Sequence, residues 1–80
     1  MSIYPNPASG SVTINTGETV ASTISIVDAH GAVVATLHPT QSATVWNLSD
    51  AAGLPVPSGV DNVIIANPAG SFYIKLNVVR

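Results

Sequence analysis

The chain has 80 residues, enough for one small domain, and only 8% of them are charged, so neutral polar groups must cover most of its surface. The net charge is −2, and the two cations, Lys75 and Arg80, form no basic patch, which argues against nucleic-acid binding. The absence of cysteine excludes disulfides, and apolar runs of about four residues are too short for membrane insertion, which needs roughly 20.

Two prolines dominate the first ten residues. In Tyr4-Pro5-Asn6-Pro7 each proline fixes its own φ and biases the preceding residue toward extended geometry. Residues 1–10 are therefore predicted to be a linker that leads into the first strand.

Alternation of apolar and polar residues predicts the next strands. Over 11–15 and over 22–28, valine or isoleucine alternates with serine, threonine and asparagine, as in strands with one buried face. Asp28 and Gly31 then occupy the first and fourth positions that favour a type I turn, so 32–37 is predicted to close a hairpin.

The segment 43–48 is the next predicted strand, and Trp46 shares a face with the threonine and the leucine two residues away on either side. A turn from Asp50 to Gly53 follows, then two prolines and a Ser-Gly pair that ends at Gly59. These residues predict a corner of an all-β domain.

The last two predicted strands cover 62–66 and 71–79. The first is apolar on both faces, as expected of a well-covered strand. The second alternates most clearly, and its predicted inward residues are Phe72, Ile74, Leu76 and Val78.

These segments make six strands, and a short seventh is expected near Val56. The sequence therefore predicts an all-β fold, an immunoglobulin-like antiparallel β-sandwich of six to seven strands, as a single domain over 11–80. The D-A-x-G-x-x-V match between 28–34 and 50–56 is interpreted as two similar turns, since the strands around them differ.

No catalytic or metal-binding constellation is apparent. A strand separates His30 from His38 by roughly 20 Å at about 3.3 Å per residue, too far to share a metal ion. No G-x-S-x-G motif supports a Ser/His/Asp hydrolase. Asp28 and Asp50 are interpreted as turn-forming residues, because a calcium site would need several converging oxygens. We therefore expect no enzymatic activity, no metal and no cofactor.

Trp46 is expected to be a core anchor rather than an exposed platform that stacks on a sugar, because a tryptophan amid alternating residues of a sandwich is most often buried. Asn47 begins a glycosylation sequon, a pattern so short that it is common by chance. The residues with predicted structural roles are Trp46, Asp28, Gly31, Asp50, Gly53 and Gly59.

Three motifs, taken in order, resemble the C-terminal sorting domain of proteins exported by the bacterial type IX secretion system. They are Y-P-N-P-A-S at 4–9, I-S-I-V-D-A-H-G at 24–31 and V-P-S-G-V at 56–60. The closing Y-I-K-L-N-V-V-R resembles that family's final strand with its basic end. The stretch that begins at Trp46 is also similar to the immunoglobulin-like domain of flagellar hook-capping proteins, W-x-G-x-D-x-x-G-x-x-V-x-S-G-x-Y.

Three residues depart from these patterns. Ala32 stands where a basic residue usually follows the glycine, Leu48 replaces the glycine after the tryptophan, and Asp61 replaces the tyrosine after S-G-V. A second register would match 68–73 to the P-A-G-x-Y element. The first register is preferred because it places V-V-R at the family's end.

The resemblance implies a non-catalytic sorting or anchoring domain of a secreted bacterial multidomain protein, recognised by the type IX export machinery. The competing interpretation is an immunoglobulin-like accessory module, a spacer or carbohydrate-contacting domain of an extracellular enzyme. We expect the parent protein to be secreted or held at the cell surface.

The resemblance places partner recognition at the end of the last strand, in Lys75, Asn77, Val78, Val79 and Arg80. If that strand lies at a sheet edge, its unpaired N–H and C=O groups could pair with the export machinery or with another protein domain. Weak self-association by the same edge pairing is expected at high concentration.

Overall fold

The computed structural model describes residues 2–17, 23–68 and 70–80, which contain seven strands. Ser22 and Ala69, which the sequence assigns to a strand and to a turn, lie outside these residues. The strands are β1 (Ser2–Tyr4), β2 (Val12–Asn15), β3 (Thr23–Val27), β4 (Val33–Leu37), β5 (Ala43–Trp46), β6 (Gly59–Asn67) and β7 (Gly70–Val78).

The strands form two antiparallel sheets, with the orders β1-β2-β5 and β4-β3-β6-β7. The chain crosses from one sheet to the other after β2, after β4 and after β5. This is an immunoglobulin-like arrangement in which the first sheet has three strands and β4 pairs at the edge of the second sheet. The predicted antiparallel β-sandwich is confirmed, and the described residues contain no helix.

The segment predicted to be a linker contributes to both sheets over residues 2–8. β1 pairs with β2, and Ile3 of β1 packs against the buried core. Ala8 is completely buried and forms a parallel bridge with Val78 of β7. Both X-Pro peptide bonds of residues 4–7 are cis. The segment belongs to the sandwich because Ile3 and Ala8 supply apolar side chains to the core.

The short strand expected near Val56 does not form within the described residues. Only a single bridge, between Ser49 and Pro55, is present there. Pro55 and Pro57 lack the N–H donors that a strand ladder needs. Val56 is nevertheless 4% exposed, and its N–H donates to the carbonyl of Leu48 at 2.9 Å.

One buried cluster joins the two sheets. Trp46, at the end of β5, is 3% exposed, and its indole N–H donates to the carbonyl of Ser49 at 3.0 Å. The ring therefore satisfies its polar group inside the fold. The buried apolar residues are Ala8, Val12, Ile14, Ile24, Ile26, Ala35, Trp46, Leu48, Val56, Val63, Ile65, Leu76 and Val78.

Phe72 departs from the burial predicted for β7. It shares the inner face with Leu76 and Val78, which are buried, but it is 45% exposed. β7 is an edge strand, and residues 6–8 cover its edge only beside Leu76 and Val78. Burial along this strand therefore depends on what covers the edge as well as on alternation.

Leu48 has a backbone conformation that favours glycine. Its φ is 57°, and it is the one non-glycine residue with positive φ among the described residues. The hook-capping pattern has glycine at this position. The side chain is completely buried. Burial of the leucine side chain therefore offsets a backbone strain of about 1 to 2 kcal/mol.

Replacing Leu48 by alanine or by glycine will separate these two contributions. Leu48→Ala keeps the strained backbone and removes most of the side chain, so it will lower the free energy of unfolding by about 2 to 5 kcal/mol. Leu48→Gly relieves the strain, so its loss will be smaller by about 1 kcal/mol. Urea denaturation measures both values, and a glycine variant less stable than the alanine variant would contradict this account.

Candidate functional site

The last strand, β7, lies at the outer edge of the four-stranded sheet, with β6 as its strand neighbour. In an antiparallel ladder, alternate residues direct both backbone polar groups to the same side. The backbone groups of Asn77 and Val79 bond to residues 6–8, so the odd-numbered residues of β7 face away from β6. Ser71, Tyr73 and Lys75 therefore direct their N–H and C=O groups outward as well.

Asn6 and Ala8 cover the second half of this edge. The side-chain amide of Asn6 donates to the Lys75 carbonyl at 2.9 Å, and its oxygen accepts from the Asn77 N–H at 3.0 Å. The N–H of Ala8 donates to the Asn77 carbonyl, and its carbonyl accepts from the Val79 N–H, both at 2.8 Å. The neighbouring prolines lack N–H groups and cannot donate to β7, so the Asn6 side chain makes the hydrogen bonds to this part of the edge.

The first half of the edge has no such cover. No described residue forms a hydrogen bond on the outer side with the N–H or C=O of Ser71 and Tyr73. The same is true of the N–H of Lys75. Tyr73 is 70% exposed on the outer face, and Phe72 is half exposed on the inner face. We call residues 71–75 the open edge. Such an edge is a template for an added strand.

The five residues predicted to recognise a partner lie in different environments. The side chains of Lys75, Asn77 and Val79 are exposed, whereas Val78 is buried in the core. Arg80 is exposed overall, but its guanidinium is bonded within the domain. The structure therefore leaves three of the five side chains accessible to a partner.

Arg80 holds the end of β7 against the segment that follows Trp46. Its guanidinium donates through Nε to the carbonyl of Val56 and through Nη2 to the carbonyl of Leu48, the latter at 2.7 Å. Its backbone N–H donates to Oγ of Ser58 at 2.8 Å. The side chain satisfies two carbonyls of an irregular segment, a structural role that the sequence did not indicate.

The turns that begin at Asp28 and Asp50 are built from the same hydrogen bonds. Oδ1 of Asp28 accepts from the N–H groups two and four residues later, at 2.9 and 3.0 Å. Oδ1 of Asp50 accepts from the equivalent groups, both at 2.9 Å. Gly31 and Gly53 have φ values of 84° and 83°, which favour glycine. Gly59, the remaining glycine with a predicted structural role, begins β6.

Asp61 of β6 is a buried carboxylate that the sequence analysis noted only as a replacement for tyrosine. It is 7% exposed and shares the inner face of the sheet with Val63. Burial raises its pKa above the ordinary value of 3.8, and the negative charge of Asp28 raises it further. No hydrogen bond or ion pair to the Asp61 carboxylate is found within residues 2–17, 23–68 and 70–80. Alternation along β6 places it inward, a pattern that could have identified it.

In the part of the chain that the structure describes, no three His, Asp or Glu side chains lie close enough to hold a metal ion. His30 precedes β4 and His38 follows it, so the strand lies between them. No helix long and apolar enough to cross a membrane is found among the same residues.

Comparison with protein families identifies the domain. Residues 2–60 match the family described as the secretion system C-terminal sorting domain. The chain belongs to this family. Domains of this family mark bacterial proteins for secretion by the type IX system to the cell surface or the extracellular space. The family is not catalytic. The resemblance drawn from Y-P-N-P, the Asp28 turn and V-P-S-G-V is confirmed.

A solved structure supports the assignment of this sorting domain. PorZ of Porphyromonas gingivalis, described as an essential bacterial surface component of the type IX secretion system, is similar with a TM-score of 0.83 at 29% identity. The similarity covers 99% of this chain and 11% of the PorZ chain, so the sorting domain spans about a tenth of that protein's length. None of the curated proteins matches the chain. The family match ends before β7, whereas the structural similarity includes it.

Replacing Asp61 by asparagine will test the cost of the buried charge in the sorting domain. Because the pKa of Asp61 is raised, the contribution of this residue to stability is most favourable below the ordinary carboxyl value of 3.8 and is lost as the pH rises through the raised pKa. Asp61→Asn will therefore increase the free energy of unfolding at pH 7 by about 1 kcal/mol, and this gain will disappear in acid.

Asp50→Asn is the matched control, because it removes the same charge from a half-buried turn residue that accepts two N–H bonds. It is expected to give no gain at pH 7. Urea denaturation between pH 3 and pH 8 compares the variants. A gain for Asp61→Asn that is equal at all pH values would show that the buried charge is not its cause.

Proposed function

We propose that this sorting domain directs the export of a larger bacterial protein by offering its open edge to a strand of the type IX export machinery. The observation that supports this most strongly is the division of the β7 edge. Asn6 and Ala8 close the half next to Asn77, whereas no described residue bonds on the outer side to Ser71, to Tyr73 or to the N–H of Lys75. The domain acts by binding, and no catalytic step is assigned to it.

Strand addition suits the open edge for physical reasons. The main-chain groups supply affinity, and alternate side chains supply specificity. Tyr73 lies at the centre of the open edge with its ring 70% exposed, so it can cover apolar surface of the partner. Lys75 is the single charge within residues 71–75, so little electrostatic repulsion opposes pairing.

The residues at the end of β7 divide into contact and support roles under this proposal. Lys75, Asn77 and Val79 expose their side chains and extend the binding surface beyond the open edge. Val78 and Arg80 act indirectly, because the first is buried and the second is bonded within the domain. Deleting residues 77–80 would remove both supports, so point substitutions in the open edge are the more informative test.

The accessory-module interpretation is not favoured. The family match describes sorting rather than carbohydrate contact. The tryptophan that could have formed a sugar platform, Trp46, is 3% exposed and belongs to the core. A role as a spacer alone would not explain why the domain belongs to a family of sorting domains.

The same edge can pair two copies of the domain. Antiparallel pairing centred on Tyr73 places Lys75 of one copy opposite Ser71 of the other, so like charges do not meet. Three outward-facing residues make only a short ladder. Self-association is therefore weak, and it competes with binding of the export partner.

Replacing Tyr73 by proline will test the open edge. The Tyr73 N–H faces outward, so proline removes a donor that an added strand needs while leaving the ladder to β6 in place. Residues 1–80 are fused behind a reporter with a signal peptide and produced in a bacterium that has the type IX machinery. The native fusion is expected at the cell surface or in the medium, and the Tyr73→Pro fusion in the periplasm.

Tyr73→Thr is the matched control, since threonine keeps the N–H and favours strands. Its fusion is expected to be exported, and thermal unfolding of the isolated variants confirms that both are folded. Export of a folded Tyr73→Pro fusion at the native level would contradict recognition through the open edge. Retention of the native fusion in the periplasm would instead contradict the sorting function.

A further inference from the structure

A cavity of about 200 Å³ lies where the turn after β3 meets the segment that leads into β6. One part of its wall is acidic and another part is apolar. The lining residues that matter here are Asp28, His30, Val34, Val56, Pro57 and Asp61.

The segment that follows the second of the two similar turns helps to build this cavity. The N–H of Ala51 donates to the carbonyl of Val34 at 3.2 Å, which joins the Asp50 turn to β4. The partly buried Val34 and the buried Val56 both pack in the hydrophobic core. Two matching turns thus place their following valines, residues 34 and 56, on the wall of one cavity.

The Asp61 carboxylate is an unpartnered charge on this wall. The residue is 93% buried, and no described residue donates a hydrogen bond to its carboxylate or forms an ion pair with it. No fully buried polar side-chain atom of the described residues lacks a partner, so the Asp61 oxygens must reach the cavity. Asp28 adds a second carboxylate beside it.

No lysine or arginine of the described residues lines this cavity. The guanidinium of Arg80 donates to the carbonyls of Leu48 and Val56, and Lys75 is exposed on β7. Burial of a carboxylate without a partner is unfavourable, and a cation between the two carboxylates would remove that cost.

We propose that this cavity binds a primary ammonium group carried on a short aliphatic stem. The ammonium donates hydrogen bonds to Asp61 and Asp28, and the methylenes lie against Val34, Val56 and Pro57. A volume of about 200 Å³ equals some seven water molecules at about 30 Å³ each, and it lies below the roughly 300 Å³ of drug-sized pockets. The site therefore fits one side chain or one small amine.

A divalent metal suits the cavity less well. Calcium takes about six to eight oxygen ligands, and the described residues bring no third His, Asp or Glu into the group. The proposed site is separate from the open edge, so it extends the function beyond export. The amine could be a free small molecule or a lysine side chain of another protein, and the two sources share the same chemistry.

Nuclear magnetic resonance of the ¹⁵N-labelled 80-residue chain will test the site. Butylammonium chloride is titrated at pH 7, with butanol as the uncharged probe and sodium chloride as the ionic-strength control. We expect saturable shifts of the backbone amides of His30, Gly59 and Asp61 with butylammonium only. Capped lysine, whose backbone is neutral, then distinguishes a protein side chain from a free amine as the source.

Two variants each remove one negative charge, the first from a residue that lines the cavity and the second from a residue outside it. Asp61→Asn is isosteric and is expected to weaken binding by about tenfold or more, because it removes a buried charge partner. Asp50→Asn removes a charge from the matching turn outside this cavity and is expected to bind as the native chain does. Urea denaturation confirms that both variants fold.

Binding of butylammonium that Asp61→Asn loses and Asp50→Asn keeps would support the proposal, whether or not capped lysine also binds. The absence of saturable shifts would overturn it. Equal shifts with butanol would overturn it too, because they would show an apolar cavity without a cation site. In a separate titration, shifts with calcium chloride but not with butylammonium would also overturn it, because the site would then bind a metal ion.

Discussion

The hydrogen bonds from Asn6 and Ala8 to β7 determine how this small sandwich closes. A domain of 80 residues buries a small hydrophobic core, and an uncovered sheet edge exposes the apolar side chains beside it. The effect is visible along β7, where Leu76 is completely buried beside the bonded half and Phe72 is 45% exposed beside the open half. The contacts of residues 6–8 therefore protect the core as well as the backbone.

Arg80 continues this closure into the rest of the fold. From the end of β7 its guanidinium reaches the carbonyls of Leu48 and Val56, in a segment where two prolines prevent a regular ladder. The same segment carries the left-handed backbone of Leu48 and follows Trp46, the largest side chain of the core. Ala8 and Arg80 are thus joined to the centre of the sandwich. What remains unpaired on β7 is a short open edge, which limits the surface that a partner strand can use.

Much of the sandwich could be predicted from local patterns. Alternation identified the strands of both sheets, and D-A-x-G identified two turns whose hydrogen bonds are equivalent. The cover that residues 6–8 give to β7 could not be predicted, because prolines on either side of Asn6 argue against pairing while the Asn6 side chain supplies the bonds. Nor could the exposure of Phe72, because it depends on which distant segment covers the edge.

The candidate site, too, could be predicted only in part from the sequence. The sequence directed attention to residues 75–80, yet the five predicted recognition residues could not be sorted into exposed, buried and bonded side chains without the fold. Asp61 is the clearest example, because a lone aspartate in a strand gives no indication that another carboxylate, Asp28, lies beside it. Contacts between residues far apart in sequence decide both outcomes.

Hydrogen exchange of the β7 backbone amides tests the central claim most directly, because each N–H reports its own hydrogen bond. Closure by residues 6–8 predicts that the amides of Asn77 and Val79 exchange slowly, whereas those of Ser71, Tyr73 and Lys75 exchange rapidly. The even-numbered amides between them, bonded to β6, are predicted to be slow throughout. Rapid exchange at Asn77 and Val79, or slow exchange at Tyr73 in a dilute sample, would contradict the division of the edge.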